Sequence, residues 1–468
     1  MDTIWAPRAL STDRPKYKSL LNALQNDIDM GELNPGDKLP PVRDLAWKLG
    51  VTPGTVARAY QEGIKSGVLT AQVGRGTFVS EPAPSQGAEH YMQSTMDDIY
   101  PLPVNGQVNL RNTNTTNVGQ SAAIRRAMIK VAETKADQYI FYPDQQYVSD
   151  IYEPLCDWMK YAGVYTRPDR LIVTNGGQNA VSLAVATILN METGAIAIDA
   201  LTYPGIRFAV QAQRGKLVGI ETDADGIIPD ALARACRKNQ IKALFTSANV
   251  LNPTTGKMPL ERRLQIAEIA RKYDVQIVED DCWGIGANDV PSFSQICPER
   301  GWYLSSISKS ISSGVRFGYL LCPDAYFDHA KRLMQSYSFG VSRAVVDIVR
   351  ELFVSGDAAA VRGAVLNLVQ KNVQQTVNIL GQWGISWRKD VPFIWLSLPS
   401  GWRGSSFAAA CERENIIVRA ADEFALQNMP VPNGVRIAVN SNLPMQTYCD
   451  ALGVVNELLA NPPVSMGS

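Results

Sequence analysis

The sequence predicts an α/β protein in two parts, a small helical head ending in a hairpin and a large domain built on a mostly parallel sheet. Three observations carry that expectation. Apolar residues recur at helical spacing three times before Gly67. A stretch rich in proline and small polar residues follows. Beyond it, strand-like apolar runs alternate with helical ones, the pattern of a parallel sheet covered on both faces. At 468 residues the chain has room for two or more domains.

Tyr17, Leu20, Leu21, Leu24 and Ile28 share one helical face, and the run stops at Gly31. The turn Asn34-Pro35-Gly36-Asp37 follows. Pro41 suits the first position of a short helix carrying Val42, Leu45, Ala46 and Leu49, and Gly50 ends it. Thr52 can cap the next helix, with Pro53 just inside it and Val56, Ala59, Tyr60 and Ile64 on its apolar face. Two strand-like runs, 68–71 and 77–79, flank Gly74-Arg75-Gly76. This is the order of a winged helix-turn-helix. The third helix would offer Thr55 and Arg58 to a major groove, and Arg75 stands at a glycine-flanked tip.

The run Gly36-Asp37-Lys38-Leu39-Pro40-Pro41-Val42-Arg43-Asp44-Leu45-Ala46, with Gly50-Val51-Thr52 and Gly74-Arg75-Gly76-Thr77-Phe78-Val79, resembles the GntR family of winged-helix repressors. The resemblance implies contacts to double-stranded operator DNA from Arg43, Thr52, Thr55, Arg58, Arg75 and Gly76. Pro53-Gly54 departs from the family, where an arginine or other polar residue often opens the recognition helix. Base reading would then shift to Thr55 and Arg58.

The boundaries read as 12–80 for the head, 81–105 for a linker and 106–468 for the large domain. Candidate strands are 171–173, 195–198, 217–220, 241–245, 276–278 and 303–305, with helical stretches at 179–189 and 260–273 between them. A smaller C-terminal α+β part should follow. Net charge is +0, so DNA contact must come from a local cluster. The seven cysteines show no C-x-x-C spacing, and there are only two histidines, which argues against a disulfide framework or a metal site and for a reducing, cytoplasmic setting. No run approaches the ~18 apolar residues of a membrane span. Asn252-Pro253-Thr254-Thr255-Gly256-Lys257 lacks the first glycine and the final Ser or Thr of a phosphate loop, and no G-x-G-x-x-G follows a candidate strand.

Candidate strands end on residues that suit pyridoxal 5'-phosphate (PLP), which needs a lysine for its aldehyde, a carboxylate for its ring nitrogen and a phosphate cup. Gly176-Gly177-Gln178 opens a helix after the first strand, where backbone N–H groups favour a phosphate. Asn252 suits the ring hydroxyl, and Asp280 ends the 276–278 run. Ser306, Ser308 and Lys309 follow the last strand, and Arg316 lies a short loop later.

That order resembles fold-type I aminotransferases over roughly residues 105–460, and with the head attached it resembles the MocR subfamily of regulators. The resemblance implies that Lys309 is the Schiff-base lysine and Asp280 the pyridinium partner. It further implies that Tyr203 stacks on the ring, Asn252 contacts its hydroxyl, and Arg316 holds the phosphate. Arg436 would grip the carboxylate of an amino-compound effector, with Arg207 as a second contact. It also implies a homodimer in which Tyr142 reaches the neighbour's phosphate. Cys282 stands where relatives usually have tyrosine, and the stretch Tyr142-Pro143-Asp144-Gln145-Gln146-Tyr147 lacks a glycine and an arginine of the family run. Both departures favour sensing, by aldimine exchange at Lys309, over efficient transamination. The competing expectations are an active aminotransferase with an accessory head and a cofactor-free scaffold.

Overall fold

The computed structural model describes residues 5–7, 15–29, 32–34, 36–65, 68–72, 76–80, 106–113, 115, 117–142, 148–191, 194–426, 429–439 and 442–462. The chain divides into two compact units, Met1–Ile99 and Tyr100–Ser468. The 81–105 stretch read as a linker and Arg75 at the hairpin tip lie outside the described residues.

In the first unit the helices are Lys16–Asp29, Val42–Leu49 and Pro53–Lys65, followed by an antiparallel hairpin of Leu69–Gln72 and Gly76–Val79. The apolar stripes read from the sequence point inward except at Ile64, which is exposed at the end of the third helix, beyond the reach of the buried cluster. Leu20, Leu24, Leu45, Val56, Ala59 and Tyr60 pack with Leu69 and Val79 in one buried cluster. Burial of one such leucine contributes about 1.5–3 kcal/mol relative to exposure. Gly50 ends the second helix in the left-handed region (φ 61°), its N–H bonding the carbonyls of Ala46 and Trp47. Pro41 sits at the cap, one position before the predicted one.

The second unit is built on seven strands in the spatial order Leu171–Thr174, Gly318–Leu321, Gly301–Ser306, Gln276–Asp280, Ile241–Thr246, Ala195–Asp199 and Lys216–Ile220. Six of these are the predicted runs. Gly318–Leu321 was not predicted, and it alone runs antiparallel to its neighbours. The helix Gly177–Met191 buries Ala180, Leu183 and Val185 on one face of the sheet. On the other face, Leu260–Tyr273 buries Ile266, Ala267 and Ala270 against Leu244 and Ile277. Strands buried on both faces read as continuous apolar runs, the form the sequence showed.

The expected smaller part is an antiparallel four-stranded sheet, ordered Gly384–Ser386, Phe393–Ser397, Gly434–Ala438 and Arg419–Ala420, with the helices Gly404–Arg413 and Met445–Ala460. Val108–Asn109 pairs in parallel with Ile416–Ile417. That pairing ties the start of this unit to its end. It leads residues 111–113 to the ends of the central strands. Among the described residues no single helix is long and apolar enough to cross a membrane.

Candidate functional site

Several of the strand-end residues singled out in the sequence lie close together. Gly176 adopts φ 85°, and a Cβ there would lie 2.5 Å from Arg316 Nη2. A Cβ on Gly177 would lie 2.6 Å from Cys282 Sγ. Only glycine permits this closeness, so the helix start, Arg316 and Cys282 form one tight cup. Arg316 itself has φ 55° and donates to the carbonyls of Asn175 (3.3 Å) and Ser313 (3.4 Å). Gln178 Nε2 donates to the Gly205 carbonyl at 3.0 Å, next to the Tyr203 ring. Helix-start N–H groups beside a guanidinium make an anion site.

Three consecutive acids at the end of the Gln276–Asp280 strand are buried. Glu279 is neutralised by Arg263, 2.9 Å away and equally buried, and accepts the Phe293 N–H at 2.8 Å. Asp281 accepts from Tyr303 Oη (2.7 Å) and Asn249 Nδ2 (2.9 Å), and burial followed by repulsion from Glu279 pushes it up to about 7. Asp280 accepts the Cys282 N–H at 3.0 Å, and among the described residues no cation pairs with it. Burial raises its pKa. A buried carboxylate with no counter-charge is costly unless a cationic group comes to it.

Lys309 lies just past the Gly301–Ser306 strand. Burial, then repulsion from Arg436, brings its ammonium down from the usual 10.5 to about 8. Its Nζ donates to the Thr113 carbonyl at 2.9 Å and sits 4.7 Å from the centre of the Trp283 ring. Ser306 and Ser308 are buried beside it, with Ser306 Oγ 3.7 Å from Cys282 Sγ and Thr115 Oγ1 bonding the Ser308 carbonyl. Burial drives the Cys282 thiol well above its ordinary value, so it stays protonated.

Arg436 is buried in the Gly434–Ala438 strand and donates to Asn252 Oδ1 (2.8 Å) and the Arg111 carbonyl (3.0 Å). The rings of Phe393, Phe424 and Trp283 surround its guanidinium at 5.0, 5.0 and 5.6 Å. Asn252 Nδ2 is buried with no partner among the described residues, a donor in need of an acceptor. Arg207 is half-buried and bonds the Ala425 carbonyl. Tyr142 is exposed, its ring 5.5 Å from that of Phe339. Residues that sequence reasoning missed are Trp283, Thr113 and Arg111. Their signal lies in the fold, because two of them act through backbone carbonyls. A cavity of about 880 Å³ lies elsewhere, between Asp199–Leu201, Trp387 and Met429–Pro432. It shares Asn252 with the lysine site but not Lys309.

In the head, the third helix starts at Pro53, and Thr52 Oγ1 lies 2.9 Å from Thr55 Oγ1. Arg43, Thr52 and Arg58 are exposed, and the Arg58 guanidinium lies 4.2 Å over the Tyr17 ring. That stacking presents the guanidinium in a fixed attitude. Gly54 has open space around it. Gly76 is exposed with φ 122°, and the Lys38 side chain would lie 3.1 Å from a Cβ there.

Comparison with known proteins follows the same division. Residues 106–454 match the aminotransferase class I and II family, and residues 16–79 match the bacterial regulatory proteins of the gntR family. The helix-turn-helix regulator YdeF of Bacillus subtilis is 26% identical over 97% of this chain and 96% of its own length. PdxR of Corynebacterium glutamicum, a pyridoxine biosynthesis transcriptional regulator, is 26% identical over 68% of each chain. Among solved structures, the α-aminoadipate aminotransferase LysN of Thermus thermophilus, complexed with N-(5'-phosphopyridoxyl)-L-leucine, superposes with a TM-score of 0.69 at 19% identity. It covers 80% of this chain and 97% of its own.

Proposed function

The chain belongs to the class I and II aminotransferase family and carries a gntR-family head, the pairing of the MocR subfamily, and from that premise we propose a PLP-dependent transcription regulator that senses an amino compound at Lys309. The observation that carries the reading is two perturbed groups at the ends of neighbouring strands. Asp280 is a buried carboxylate without a counter-ion among the described residues, and Lys309 is a lysine brought down to about 8. PLP supplies an aldehyde that takes up amines and a protonated ring that draws electrons from them. Lys309 would hold its aldehyde carbon and Asp280 its ring nitrogen. Asn252 Nδ2 would meet the ring hydroxyl, and Tyr203 one ring face. The phosphate would fall to Gly177, Gln178, Ser306, Ser308 and Arg316.

An incoming amino compound would take the place of Lys309, and its carboxylate would take Arg436 from Asn252 and the Arg111 carbonyl. Arg207 is the second candidate for that carboxylate. The protein acts as a homodimer in this reading, with Tyr142 reaching the neighbouring site. Two heads then face paired operator half-sites through Arg43, Thr52, Thr55, Arg58, Arg75 and Gly76. The effector shifts operator affinity only by its differential affinity for two arrangements of the dimer.

Fluorescence anisotropy of labelled operator, titrated with amino acids and amines, tests this. One of them should change operator affinity, and Lys309→Ala should abolish that change while binding DNA. An unaltered response in Lys309→Ala refutes the role given to Lys309. The complete set of Lys309, Asp280 and Arg436 keeps a second reading open, an active aminotransferase with an accessory head. Multiple turnovers between an amino donor and a 2-oxo acid would favour it.

A further inference from the structure

Trp283 was not among the residues the sequence singled out, yet it lies at the centre of the site. Its indole is 5% exposed and packed edge-on against Phe393 (5.2 Å, 84°) within an apolar group that includes Val250 and Val391. That wall fixes the plane of the ring. The Lys309 ammonium lies 4.7 Å from the ring centre while donating to the Thr113 carbonyl at 2.9 Å. The segment that supplies the carbonyl is itself held. Asn109 Oδ1 accepts the N–H groups of both Arg111 and Asn112 at 3.0 Å, and the Leu110 N–H bonds the Ile417 carbonyl at 2.8 Å.

We propose that Trp283 and the Thr113 carbonyl form a docking position for the Lys309 ammonium, which takes up the lysine when an amino compound displaces it and so sets how readily displacement occurs. The role given to displacement rests on the proposed function; the docking of the ammonium does not. A desolvated cation above an indole face is attracted by the ring quadrupole, and one carbonyl satisfies only one of its three donors. Among the described residues, the charged and titratable groups that act on Lys309 are Arg436, Arg316 and Cys282. Neither arginine can stabilise an ammonium, and the Cys282 thiol is held protonated. The indole and the carbonyl are therefore what make the released form tolerable. Trp283 acts through Lys309, as a positioning residue.

The test has two arms on the full-length chain. In the first, protein freed of cofactor is pulsed with acetic anhydride across a pH series, and acetylation at Lys309 is read by mass spectrometry. Trp283→Leu removes the π face and should increase Lys309 acetylation at a fixed acidic pH by about fivefold, because the ammonium loses its stabilising ring. Trp283→Phe, which keeps a weaker face and much of the volume, should fall between and serves if the leucine variant does not fold. A merely space-filling Trp283 would leave the profile unmoved, and that result overturns the proposal. In the second arm PLP is restored and the visible band is titrated with an amino acid. Trp283→Leu should raise the concentration needed for displacement by about the same factor; an unchanged concentration overturns the role in displacement. Failure of any band to form on adding PLP would count against the proposed function and leave the acetylation result standing.

Discussion

The two proposed recognition surfaces of this chain differ sharply in burial. In the head, Arg43, Thr52 and Arg58 are exposed. In the large unit, Asp280, Asn252 and Arg436 are buried and Lys309 is half-buried, each placed by a different strand end or loop. Exposed cations gain their energy when a polyanion arrives, and salt screens that gain. Buried groups are under stress before any ligand arrives, as the raised Asp280 and the lowered Lys309 show. The difference teaches where mutations should act. Changes in the head should alter DNA affinity and little else, whereas changes in the large unit should alter cofactor retention and stability together.

Lys309→Ala should abolish both the visible cofactor band and any effector-dependent change in operator affinity, measured by absorbance and anisotropy. Asp280→Ala should weaken PLP binding by more than about a hundredfold, since loss of one partner of a buried charge pair costs about 3–5 kcal/mol. A spectral titration measures it. Arg263→Met strands Glu279 as a buried charge and should cost the large unit about 3–5 kcal/mol of stability. Thermal unfolding should show this while the purified folded fraction keeps its operator affinity.

The pH dependence has a definite sign. Only the neutral amine of Lys309 attacks an aldehyde, and its ammonium loses the proton at about 8. The rate of band formation in cofactor-free protein should therefore rise as pH increases toward 8 and level off above it. A rate still climbing steeply toward pH 10 would show that burial does not tune this lysine. Smallest of all, Arg58→Ala should weaken operator binding by about 1–3 kcal/mol if it reads a base; if it grips phosphate instead, the salt slope should fall by about one. Its cofactor band should stay as it was, and a coupled loss there would break the comparison.

Much of the fold can be read in the chain because its local rules agree. Helical periods end at capping glycines such as Gly50, and six apolar runs became six strands of one sheet. Gly318–Leu321 escaped because a four-residue apolar run cannot be assigned by period. Its place between Leu171–Thr174 and Gly301–Ser306 is decided by pairing across long stretches of chain. For the site, side-chain chemistry at strand ends pointed to Lys309, Asp280, Asn252 and Arg316. Backbone carbonyls carry no side-chain signature, so Arg111 and Thr113 gave no sign of their contacts with Arg436 and Lys309. Trp283 carries no motif of its own, and only packing against Phe393 aims its face at Lys309.

The sequence by itself determined the element order, the two-part division of the chain and the place of Lys309 at a strand end, because periodicity, capping and strand-end chemistry are local properties. Only the tertiary structure decided how each acid of Glu279-Asp280-Asp281 is met: Glu279 by a cation, Asp281 by neutral side-chain donors, and Asp280 by the Cys282 N–H. Arg263, Asn249 and Tyr303 come from other elements to satisfy the neighbours of Asp280. It likewise decided that Lys309 and Arg436 share one indole ring, since burying two cations side by side requires a face that only packing can orient.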